Sequence, residues 1–132
     1  MLLALALSAA AAAQSVSREG GLTATFIGNE AWHITDGEYT VMTDSPYESG
    51  YPRYMTWKSS GAPKVADSSR LLIVTTHQHR DHFAAELIPP LNPGGVIGPA
   101  SVRAAAGRAG ITPASLTRFG PVRVQSIPTP HA

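Results

Sequence analysis

Three histidines and one aspartate fall within six positions of this sequence, as His77, His79, Asp81 and His82 in the stretch LLIVTTHQHRDHF from Leu71 to Phe83. Imidazole and carboxylate are the side chains that bind divalent transition metals when no thiolate is present, and this chain has no cysteine. In extended chain, side chains two apart point the same way, so His77 and His79 are placed to share an ion while Gln78 looks elsewhere. Asp81 and His82 fall where the chain turns, so that they face the same cavity from a second side. The spacing describes two adjacent metal positions.

An element must hold that cluster. Leu71 to Thr76 is apolar or β-branched throughout and reads as a buried strand, which puts the donors just past its end. His82 to Ile88 then reads as a short amphipathic helix stopped by Pro89-Pro90. Upstream, Leu22 to Phe26 alternates in the period of a half-buried strand. Ala31 to Thr35 and Tyr39 to Thr43 flank Asp36-Gly37, a dipeptide that favours a tight hairpin. Asp44 to Lys58 reads as a structured loop carrying Tyr47, Tyr51, Tyr54 and Trp57. Downstream come a brief strand at Val96 to Gly98, a helix capped by Ser101 and running to Arg108 with Gly110 as its stop, and a strand at Val122 to Ile127. This order of elements predicts a mixed α/β (α+β) domain.

Composition narrows the function. Ten Lys plus Arg against nine Asp plus Glu give a net charge of +1, and no basic run is long enough to track a phosphate backbone. Nucleic acid is therefore not expected as a non-specific partner. Met1 to Ala13, MLLALALSAAAAA, is too short to span a bilayer, and its small residues before Gln14 fit signal-peptidase cleavage. The expectation is a signal peptide over 1–13, a linker over 14–21, one domain over 22–132, no stable membrane span, and a secreted or periplasmic location.

His77-x-His79-x-Asp81-His82 after an apolar strand resembles the signature of the metallo-β-lactamase superfamily. TFIGNEAWHITDG, TDSPYESGY and IGPASV are similar to other parts of that family's domain. The resemblance implies a four-layer αββα sandwich, with His77 and His79 as ligands of a first metal and Asp81 and His82 as ligands of a second. His131, in PTPHA, matches the family's next histidine and would complete the first site. Asp81 is the catalytic carboxylate on this reading. Zinc is the implied cofactor, as two ions in the complete protein, with iron or manganese as alternatives. The implied activity is that of a metal-dependent hydrolase using a metal-activated hydroxide. The alternatives are a degenerate domain that binds metal without catalysis, and an iron-dependent oxidoreductase of the same fold. The family pattern continues with a further aspartate and histidine beyond the position of His131, so the resemblance implies the first part of such a domain.

Other residues carry two readings each. Asp44 either orients a ligand histidine or forms the turn before Ser45-Pro46. Arg80 is either a solvated side chain or an anion contact. Tyr47, Tyr51, Tyr54 and Trp57 either wall a substrate pocket or pack their loop against the domain. His33 reads as a satisfied strand histidine.

Overall fold

The computed structural model describes the backbone of residues 15–17 and residues 21–48, 56–57, 62–115 and 117–127. The expected leader over 1–13, together with Tyr51, Tyr54 and His131, lies outside them. Six strands form one mixed sheet in sequence order: β1 (Ser15–Ser17), β2 (Thr23–Gly28), β3 (Ala31–Thr35), β4 (Thr40–Thr43), β5 (Leu71–Val74) and β6 (Gly95–Ile97). The first four pair antiparallel, and β4, β5 and β6 run parallel. One helix follows, α1 (Ala100–Arg108), and then a small hairpin of β7 (Arg118–Phe119) and β8 (Val122–Arg123). The protein is thus mixed α/β. Among the described residues no helix is long and apolar enough to cross a membrane.

Local chemistry explains the meander. In the β3–β4 turn the Asp36 carboxylate accepts the backbone N–H groups of Glu38 at 2.9 Å and Tyr39 at 2.7 Å, and Gly37 takes a φ of +93°. An aspartate that bonds its own turn and a glycine free to adopt positive φ close a hairpin without strain. Those two bonds also hold the Asp36 carboxyl below the usual carboxylate range. The continuous apolar run of β5 has a different cause. Parallel strands are covered on both faces, and Leu71, Leu72 and Ile73 are all buried.

The main core fills one side of the sheet. Met42, Leu71, Ile73 and Val96 from the strands meet Phe83 and Ile88 from the β5–β6 connection and Val102 and Ala106 from α1. A smaller cluster joins Ile27, Ala31 and Tyr47. Register puts Ala24, Ile34, Val41 and Leu72 in one cross-strand row of the opposite face, and Phe26, Trp32, Thr43, Val74 and Ile97 in the next. That face carries no charge, and apart from buried Leu72 it is half-buried, with Trp32 exposed against the edge of the Phe26 ring.

Several boundaries differ from the sequence reading. Ser15–Ser17, within the expected linker, pairs with β2 instead. The expected helix after the motif is reduced to two 3-10 turns, Ala85–Leu87 and Pro89–Leu91, because Pro89 and Pro90 lack the N–H groups a longer helix needs. Ser101 lies inside the first turn of α1 and Pro99 is the capping position, without a side-chain cap. Gly110 does end the helix, at φ +76°, with Ile111 N–H reaching back to the Ala106 carbonyl at 2.9 Å. The last expected strand shortens to Val122–Arg123.

His33 departs from its expected role in a way that can be measured. It is 3% exposed, between Thr25 and Met42 in register, and among the described residues neither ring nitrogen has a hydrogen-bond partner. Burial holds its pKa below that of a free imidazole. Above about pH 6.5 the ring is neutral folded or unfolded and contributes no pH dependence. Below that value the unfolded chain takes up a proton that the folded chain refuses, so stability falls with pH until the folded imidazole titrates. The slope from this group is at most about 1.4 kcal/mol per pH unit. Urea unfolding at pH 7.5 and 5.5 should therefore show a larger acid loss in the natural protein than in His33→Leu, and equal losses would refute the assignment.

Candidate metal centre

The donors gather at the carboxyl ends of the parallel strands. β5 ends at Val74, and Thr75 N–H still bonds the Ile97 carbonyl at 2.9 Å, so the chain leaves the sheet at Thr76. It then turns tightly: the His79 carbonyl accepts from His82 N–H at 2.9 Å and from Phe83 N–H at 2.8 Å. Phe83, 4% exposed, pins the end of that turn in the core. The turn brings Asp81 and His82 back over His77.

The result is one group of three donors. A ring nitrogen of His77, a carboxylate oxygen of Asp81 and a ring nitrogen of His82 lie within 4.8 Å of one another. The His77 and His82 rings stand 3.8 Å apart between centroids. His79 is brought against His77 at 4.7 Å, edge to face, but is not part of the three-donor group. The extended-chain expectation paired His77 with His79. The bend at Thr76 and the turn after His79 remove the two-residue alternation on which that pairing rests.

Asp44 supports the group from the position just after β4, 32 residues before Thr76. It is 5% exposed and adopts a φ of +44°, a conformation that Asp tolerates better than most residues. Its backbone N–H donates to the Val74 carbonyl at 2.9 Å. Its Oδ1 accepts from Thr76 N–H at 2.7 Å and lies 2.9 Å from Thr76 Oγ1, which lies 3.0 Å from His77 Nδ1. Its Oδ2 is 3.4 Å from His82 Nδ1, an electrostatic contact not aligned as a hydrogen bond. Asp44 therefore both forms the turn and addresses two donor imidazoles, so its two readings are compatible.

Two loops close around this arrangement. Glu48 N–H donates to the Arg80 carbonyl at 2.7 Å and Ala84 N–H to the Pro46 carbonyl at 2.9 Å, joining the loop after β4 to the histidine loop. The exposed Arg80 guanidinium pairs with Glu48 and, at 2.8 Å, with Glu86. The Glu48 hydrogen bond and charge, followed by Glu86, raise its pKa further. Arg80 is thus engaged by carboxylates. Tyr47 is buried, donates its hydroxyl to the Ile27 carbonyl at 2.6 Å and stacks edge-on with Trp57, so these two aromatics pack their loop. From the β2–β3 turn, Asn29 Nδ2 donates to the Asp81 carbonyl at 3.4 Å.

Sequence reasoning missed Asn29 and Thr76. The Gly28-Asn29 dipeptide between two strands is a hairpin signal that marks Asn29 as a turn tip. For Thr76 the signal was a hydroxyl directly before the first histidine, hidden because a β-branched residue reads as strand. The donor set fits a divalent transition metal: two imidazoles and a carboxylate converge, and the buried His82 Nδ1 faces a carboxylate, as the second ring nitrogen of a ligand histidine commonly does. Comparison with known proteins found no matching family model, no matching curated protein and no matching solved structure.

Proposed function

We propose that this protein is a metal-dependent hydrolase of the metallo-β-lactamase type acting on a small-molecule substrate, its sheet forming part of a four-layer αββα sandwich. The observation that supports this reading is the convergence of His77, Asp81 and His82 at the carboxyl ends of parallel strands, with Asp44 behind two of them. On this reading His77, Asp81 and His82 hold the ion, with His79 beside them and His131 as a further ligand. A bound divalent ion supplies Lewis acidity and acidifies a water towards neutral pH. The chain's own part is to orient two imidazoles through Asp44 and to keep the Asp81 carboxylate against them. Zinc suits a site of imidazole and carboxylate ligands. A secreted or periplasmic location belongs to the same proposal.

The same two-histidine, one-carboxylate set is also used to hold iron in oxygenases, which favours iron-dependent oxidoreduction as the second reading. Metal analysis of the purified protein separates the two. Calorimetric titration of the metal-free protein with zinc is expected to show one ion per chain, because the described residues supply one group of three donors. Replacing His77 and His82 together by alanine is expected to abolish that heat while circular dichroism stays unchanged. Titration without binding in the natural protein would end the metal reading, and two equally tight ions would contradict the single group.

A further inference from the structure

We propose that Thr76 is a positioning residue that relays the Asp44 charge to His77 and holds its imidazole with the proton on Nδ1 and the lone pair on Nε2. The Thr76 hydroxyl has one proton to donate and, among the described residues, two polar side-chain neighbours: Asp44 Oδ1 at 2.9 Å and His77 Nδ1 at 3.0 Å. An ionised carboxylate only accepts, so the hydroxyl proton must lie towards Asp44. The opposite orientation would set lone pairs of Thr76 Oγ1 and Asp44 Oδ1 against each other at hydrogen-bond distance. With its proton committed, the hydroxyl can only accept from His77, and His77 Nδ1 must be the protonated nitrogen. A neutral imidazole has one donor and one acceptor nitrogen, so Nε2 carries the lone pair.

The relay is anchored at its buried end. Asp44 Oδ1 also accepts the Thr76 backbone N–H at 2.7 Å, which fixes where the hydroxyl stands although Thr76 itself is exposed. The second oxygen of the same carboxylate faces His82 Nδ1 at 3.4 Å and favours the same tautomer there. One carboxylate thereby sets both rings of the close pair alike, His77 through Thr76 and His82 directly. The assignment deepens the proposed metal site and rests on it for the affinity readout alone, since the tautomer belongs to the metal-free chain.

Long-range nitrogen–proton correlation spectra of the histidine rings in the metal-free, full-length protein at pH 8 test the relay. Natural protein and Thr76→Ser are expected to hold the His77 proton on Nδ1. Thr76→Val keeps the β-branch and the backbone bond to Asp44 but is expected to move the proton towards Nε2. Zinc affinity should fall about tenfold in Thr76→Val and recover in Thr76→Ser. A His77 proton on Nε2 in the natural protein, or an unchanged tautomer in Thr76→Val, would overturn the proposal even if zinc affinity fell. Absence of zinc binding in the natural protein would overturn the metal function, and the ring spectra would still decide the relay.

Discussion

Asp44→Asn is expected to weaken zinc binding by about 10- to 100-fold, with the fold intact. The substitution keeps the shape of the side chain, and Asn tolerates the φ of +44° nearly as well as Asp does. Its amide oxygen can still accept from Thr76 N–H. What changes is the group facing His82, where an acceptor is replaced by an NH2 donor 3.4 Å from Nδ1. A donor there favours the unprotonated Nδ1 and moves the His82 proton to Nε2, which removes the lone pair the ion needs. Loss of the buried charge also removes the electrostatic support for two imidazoles that share a cation. Competition with a chromophoric chelator measures the affinity, and circular dichroism and thermal unfolding report on the fold. An unchanged dissociation constant would show that Asp44 is a turn residue and nothing more.

Gly94→Ala is expected to destabilise the fold strongly. A Cβ at Gly94 would run into the Ser69 carbonyl oxygen, lie 2.8 Å from that carbonyl carbon and 3.0 Å from Phe119 Cζ. The first two neighbours are backbone and cannot rotate away. Gly94 N–H also donates to the Ser68 carbonyl at 2.9 Å, so relieving the clash would break the contact that seats the turn before β5 against the turn before β6. Overpacking of this kind costs about 1–3 kcal/mol, which corresponds to a melting temperature lower by about 4–12 °C. Gly107→Ala is the control. It is an exposed position in α1 where an added Cβ meets nothing within 4 Å, and there alanine should stabilise by about 0.5–1 kcal/mol. Equal melting temperatures for the natural protein and Gly94→Ala would refute the close approach.

Both effects arise where distant segments meet, and such junctions are what a single sequence reveals least. The apolar run of Leu71 to Val74 was legible as a buried strand because its length and β-branching are local properties. So were the hairpin at Asp36-Gly37 and the helix stop at Gly110, where one residue type meets one backbone need. The failures were also physical. Ser15 to Ser17 carries no apolar alternation, and its strand character comes from pairing with β2. The residues after Phe83 have a helical pattern, yet the two prolines limit them to 3-10 turns. His33 looked satisfied because strand histidines commonly find a partner, and only its place in the sheet, between Thr25 and Met42, shows that it has none among the described residues.

For the candidate site the division is sharper. Residue type and spacing alone determined that His77, His79, Asp81 and His82 lie at the end of a buried strand and that any metal there must use nitrogen and oxygen donors. The tertiary structure decided which of them converge. It is the turn closed on the His79 carbonyl that joins His77 to Asp81 and His82, and the parallel pairing of β4 with β5 that carries Asp44 to Thr76. Side-chain periodicity is a property of a few consecutive residues, whereas strand pairing is set by burial across the whole sheet. The spacing could therefore supply the ligands, and only the fold could bring them the carboxylate that orients them.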